Sequence, residues 1–176
     1  MIPVDKHKVL FAPEGLFGSG PASEIVPGLW QSGFPNDFEF LKKAGFDLVV
    51  FCARELQPDV EDMKHLKFRC GLSVVCAPMD DCDMVGEELR RTLETAARAA
   101  SEVARCVREG GSALVTCAAG RNRSGLVSAL SLVLLHGVPG SVALEVVKRK
   151  RAKALTNESF AEALRKVPAP KKSVAL

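Results

Sequence analysis

Residues 115–127 read VTCAAGRNRSGLV. An apolar, strand-like run ends in a lone cysteine, a small basic loop follows, and an apolar helical run begins. Within residues 117–124 the chain gathers a thiol, two arginines and a hydroxyl. This is poor material for a hydrophobic core and good material for an anion site. Between the carboxyl end of a strand and the start of a helix, successive backbone N–H groups would point into a small bowl, with the helix dipole adding partial positive charge. A phosphate- or sulfate-like dianion is the expected occupant. Cys117, at the floor, would ionise well below the roughly 8.5 of a free thiol. Arg123, six residues on, can return its guanidinium to the bowl and grip two oxygens. The small Ala118, Ala119 and Gly120 let the backbone curl close to the anion, and Arg121 and Asn122 complete the expected phosphate-binding loop.

Outward from the loop, strands and helices alternate. Residues 25–31, interrupted by Pro27 and Gly28, read as an edge strand or hairpin. Residues 38–43 read as a short helix capped by Asn36 or Asp37. Residues 47–52, DLVVFC, are a continuous apolar run of the kind a strand buried on both faces requires. A loop with a helical turn follows, then a strand over 68–78. Helices are expected over 87–108, 124–136, 141–150 and 157–166, the last two opened by the cap residues Ser141 and Asn157. A short buried strand, 112–116, leads into the loop. The fold class is therefore α/β, a central, mainly parallel sheet flanked by helices. Residues 1–21 read as an irregular leader and 168–176 as a flexible tail.

A chain of 176 residues with a formal charge of +3 bounds the rest. It is long enough for one domain with a sizeable core. The mild charge permits an anionic substrate without pointing to nucleic acid as a partner. No run approaches the roughly 18 apolar residues of a membrane span, and no signal peptide is evident. The six cysteines show no CxxC spacing, so reduced thiols, a cytoplasmic setting and no zinc site are the expectation. Cys70, Cys76, Cys82 and Cys106 read as packing residues, and the KRKR run at 148–151 as the solvated side of a helix.

C-x5-R followed by Ser124 resembles the signature of the cysteine-dependent protein phosphatases, and the chain is similar to their dual-specificity branch. The segment IVPGLWQSG looks like that branch's opening segment, DLVVFCARE sits where it has its second strand, and residues 147–166 look like its closing R…N-x-x-F-x-x-x-L segment, with Asn157, Phe160 and Leu164 in place. The resemblance spans residues 22–167, taken as the catalytic domain. It implies a phosphoric monoester hydrolase that works without metal or cofactor. Cys117 would attack phosphorus to give a phosphocysteine, Arg123 would stabilise the transferring group, and Ser124 would support the departing sulfur. A loop aspartate would act as acid and then base. The pattern Pro-x-x-Asp selects Asp81; counting back from Leu89 favours Asp83, and Asp80 is the third candidate.

Phosphorylated proteins are the substrates the resemblance implies, phosphotyrosine together with phosphoserine and phosphothreonine, because no inserted tyrosine-recognition loop is evident. Arg121 and Asn122 suggest two alternatives, phosphoinositides or RNA 5′ ends. Thr116 stands where the family usually has His, which raises a third, a phosphate-binding module with weak turnover. Cys52 resembles a cysteine of the phosphoinositide branch that forms a reversible disulfide with the nucleophile; a packed small hydrophobe is the other reading.

Overall fold

The computed structural model describes residues 20–171. Most of the expected leader and tail thus lies outside the described residues. Five strands form one sheet: β1 (Ser23–Val26), β2 (Leu29–Ser32), β3 (Leu48–Ala53), β4 (Ser73–Met79) and β5 (Ala113–Thr116), in the order β1-β2-β5-β3-β4. β1 and β2 are an antiparallel hairpin, as the Pro27-Gly28 break predicts, and every other pairing is parallel. β5 lies between β2 and β3, so the segment that follows it leaves from the middle of the sheet's carboxyl edge.

The helices are α1 (Phe38–Lys43), α2 (Val60–Lys64), α3 (Gly86–Arg108), α4 (Arg123–His136), α5 (Gly140–Lys150) and α6 (Glu158–Arg165). Alternation along β3 divides the core. Leu48, Val50 and Cys52 join the cluster built with α3 to α6, whereas Val49 and Phe51 join the one built with α1. On the α1 side, Phe34, Phe38 and Phe51 stack with centroids 5.8–6.0 Å apart. Each such pair contributes about 0.5–1.5 kcal/mol beyond its burial. The result is a three-layer sandwich with both faces of the sheet covered, as continuous apolar strands demand.

Four expectations need correction. Residues 68–70 are not strand; His65–Arg69 forms a π-helical turn and β4 starts only at Ser73. Leu66 and Cys70, four apart, are both buried while Phe68 is 83% exposed, which is a helical period rather than alternation. Ser141 does not cap α5; Pro139 holds that position without a side-chain bond, whereas Asn157 does cap α6, accepting from the Phe160 amide. Cys70 is buried and Cys106 half-buried, but Cys76 and Cys82 are exposed rather than packed. Arg151 is not on a solvated face: it ends α5 in extended conformation, and its side chain turns inward, 8% exposed. Among the described residues no helix is long and apolar enough to cross a membrane.

Candidate active site

β5 delivers Cys117 to the floor of the loop, where only 2% of it is exposed. Its sulfur lies 3.3 Å from the Ser124 hydroxyl in the first turn of α4. The loop turns at Gly120, whose φ of +65° an L side chain rarely adopts. A Cβ there would sit 2.3 Å from the Ser32 carbonyl carbon, so the loop lies directly against the end of β2. Ala118 and Ala119 are half-buried and Arg121 is exposed. Among the described residues, the amides of Gly120, Arg121 and Asn122 donate no hydrogen bond. Unpartnered N–H groups in a row are what an anion requires.

Arg123 is 5% exposed and held from two sides. Both terminal nitrogens donate to the Glu55 carboxylate, Nη1 at 2.6 Å and Nη2 at 2.8 Å, and Nη1 also donates to the Met79 carbonyl at 3.1 Å. The Arg123 donor holds the Glu55 carboxyl below the usual carboxylate range, with burial acting the other way. Among the described residues Nε is buried without a partner. A buried N–H of a charged group carries a desolvation cost of about 1–3 kcal/mol unless something accepts it. An oxyanion in the bowl would.

The loop is braced by groups distant in sequence. Arg151 Nε donates to the Gly120 carbonyl, and Nη1 donates to the Pro21 carbonyl at 2.9 Å and the Ser23 hydroxyl at 3.1 Å. Gln31 Nε2 donates to the Gly120 carbonyl at 3.1 Å. Thr116 is fully buried, and its hydroxyl donates to the Val50 carbonyl at 3.3 Å, on the strand side and not the loop side. Cys52, the penultimate residue of β3, lies next to Cys117, since Phe51 and Thr116 are register partners. Its burial, and then the charge on Cys117, push the Cys52 thiol well above its ordinary value, with Arg123 opposing.

The three loop aspartates separate cleanly. Asp81 is bonded at both oxygens, by Asn157 Nδ2 at 3.0 Å and Asn122 Nδ2 at 3.1 Å. Asp80 is paired with Arg54 at 2.8 Å. Asp83 is exposed and makes no hydrogen bond or ion pair among the described residues. Glu55 and Arg151 were missed at the sequence level. Each had a visible signal: Glu55 closes the FCARE segment, and Arg151 precedes the N-x-x-F pattern in the closing segment.

Solved structures and a family profile share this fold. The tyrosine phosphatase family profile matches residues 72–164. Tk-PTP in its active form is 25% identical with a TM-score of 0.67, the match covering 82% of this chain and 93% of that one. Human DUSP28 is 28% identical, with a TM-score of 0.63 and coverage of 82% and 90%. A mouse putative dual specificity phosphatase, solved with zinc tungstate, is 28% identical, with a TM-score of 0.64 and coverage of 89% and 91%. No curated protein sequence matches. Fold, loop and relatives converge: the chain belongs to the tyrosine phosphatase family, as a cysteine-dependent phosphatase of the dual-specificity-like branch.

Proposed function

We propose that this phosphatase removes phosphate from phosphotyrosine and from phosphoserine and phosphothreonine in proteins, through a phosphocysteine on Cys117. The observation that carries the reading is the poised Arg123. Glu55 fixes the guanidinium plane, yet among the described residues one buried N–H is left unaccepted beside a buried sulfur and a row of unpartnered amides.

The Cys117 sulfur attacks phosphorus, forming the S–P bond as the ester P–O bond breaks. Charge on the equatorial oxygens is met by Arg123 and the amides of Gly120, Arg121 and Asn122. Asp81, protonated, gives its proton to the departing oxygen. Its carboxylate then takes a proton from water, whose oxygen attacks phosphorus and breaks the P–S bond. The Ser124 hydroxyl, 3.3 Å from the sulfur, donates to Cys117 as it leaves. The sum is ester plus water giving alcohol plus phosphate. Asp81 is favoured over its neighbours because it is fixed to the phosphate loop through Asn122, while Arg54 neutralises Asp80. A catalytic thiolate and exposed free thiols suit a reducing, cytosolic setting.

The test is hydrolysis of an aryl phosphate by wild type and Cys117→Ser, with phosphate-analogue binding measured on both. Turnover by wild type, with an inactive variant that still binds vanadate, is expected. Binding without turnover by wild type would leave only a phosphate-binding module. A second reading, a more anionic substrate, is favoured by the exposed Arg121 at the bowl's rim. Phosphopeptides assayed beside phosphoinositides and triphosphate-ended RNA decide between the two.

A further inference from the structure

Asn122 occupies the N-cap position of α4, yet its side chain does not cap that helix. Its Oδ1 accepts instead from the Thr156 amide at 2.8 Å, the Thr156 hydroxyl at 3.2 Å and the Asn157 amide at 3.2 Å. Backbone amides can only donate, so this end of the side chain must be the oxygen, and Nδ2 must face Asp81. The same logic orients Asn157. Its Oδ1 accepts from the Phe160 amide at 3.2 Å, which leaves Nδ2 for Asp81 Oδ1 and the Cys82 carbonyl, each at 3.0 Å. A third bond, from the Met84 amide to the Ser159 hydroxyl at 3.1 Å, pins the far end of the same loop.

Asp81 is an exposed carboxylate on an irregular segment. Such a group would ordinarily sample many positions. Here two amides from two different elements hold both its oxygens, and one of those amides neighbours Arg123 in sequence. We propose that Asn122 and Asn157 are positioning residues that hold Asp81 over the phosphate loop, so that the proton donor is in place before substrate arrives. This rests on the reading of Asp81 as the acid. Acid catalysis matters most when the departing alcohol is a poor leaving group. Loosening Asp81 should therefore slow poor esters selectively, whereas damage to the phosphate loop should slow every ester alike.

The decisive variant is Asn157→Ser. Serine keeps the neutral charge and the α6 cap but cannot reach Asp81. Phenyl phosphate and 2,4-dinitrophenyl phosphate would be compared in the full chain. The ratio of kcat/KM for the poor ester to that for the good one is expected to fall about tenfold in Asn157→Ser, and further when Asn122→Ala is added, approaching that of Asp81→Asn. Parallel losses on both esters, or an unchanged ratio, would overturn the proposal. If Asn157→Ser does not fold, as judged by its melting transition, Asn122→Ala alone carries the same comparison. Should Asp81→Asn leave the ratio unchanged, the assignment of the acid fails and the inference falls with it. That outcome is distinct from one in which Asp81→Asn lowers the ratio and the asparagine variants do not.

Discussion

Glu55 grips Arg123 through both carboxylate oxygens, at 2.6 and 2.8 Å, from a short turn at the end of the strand next to the loop. The pair is asymmetric in environment: the Arg123 side chain is 6% exposed, the Glu55 side chain 54%. Glu55 therefore acts less as a staple of the fold than as a guide for the guanidinium. Glu55→Gln keeps the shape and removes the charge. A half-exposed pair contributes about 0–1 kcal/mol, so vanadate binding and kcat/KM should each weaken by up to about fivefold. Unaltered vanadate affinity would sink this role for Glu55.

The same pair sets a pH dependence. Arg123 holds the Glu55 carboxyl below its ordinary value. A depressed carboxylate stabilises the fold fully above the unfolded value, roughly 4.3, and loses that contribution as pH falls through the lower folded value. The melting-temperature difference between wild type and Glu55→Gln should thus hold steady from neutral pH to about pH 5 and shrink below it. It should be small, because half-exposed pairs contribute about 0–1 kcal/mol. A difference that grows on acidification would contradict the sign.

Gly120 is the tightest position of the loop. An alanine there would adopt a left-handed φ, at a cost of about 1–2 kcal/mol, and would press its Cβ within 2.3–2.5 Å of the Ser32–Gly33 backbone. Neither strand end nor loop can yield without moving the amides away from the anion. Gly120→Ala should lower the melting temperature by about 2–8 °C and reduce kcat/KM by far more than so modest a loss of stability implies. Full activity would show that the loop is not held against β2.

Arg151 is the brace that the local pattern hid. Its guanidinium joins the Gly120 carbonyl to the hairpin strand β1 through Pro21 and Ser23. Arg151→Met would leave the Gly120 carbonyl to Gln31 alone and return the Pro21 and Ser23 oxygens to solvent, at a cost of about 0.5–1.5 kcal/mol for each hydrogen bond lost. Arg151→Lys keeps the charge without the fork and should restore only part of the stability. Both variants should lose vanadate affinity, methionine more than lysine. Equal affinity in wild type and both variants would reduce Arg151 to a bystander.

The strand, loop and helix around Cys117 were legible because their signals are local. Five residues between thiol and guanidinium, an apolar run before and another after, fix the geometry within one turn of chain. What supports the loop is not local. Glu55 reaches Arg123 across 68 residues, Asn157 reaches Asp81 across 76, and Arg151 reaches Gly120 across 31. No hydrophobic period specifies which distant polar group will face which. Arg151 was misread for a second physical reason: it stands in a run of four cations, and only the change to extended backbone at the end of α5 turns it inward. Asp81 was reachable by pattern, but its contacts with two asparagines came only from the folded chain.

Cys52 provides the last test. Register partners Phe51 and Thr116 bring the ends of β3 and β5 side by side, with Cys52 and Cys117 as the next residues of each. Mild peroxide should convert Cys117 to its sulfenic acid, which the Cys52 thiol can then attack, forming the S–S bond and releasing water. Burial holds the Cys52 proton tightly, so the disulfide should form slowly at neutral pH and faster as the pH rises. Peptide mapping should find the Cys52–Cys117 link, and thiol treatment should return activity. Cys52→Ser should instead drive Cys117 on to sulfinic acid, with activity that thiols do not restore. If mapping of the wild type finds Cys117 as sulfinic acid beside an unmodified Cys52, Cys52 is only a packed side chain of the core.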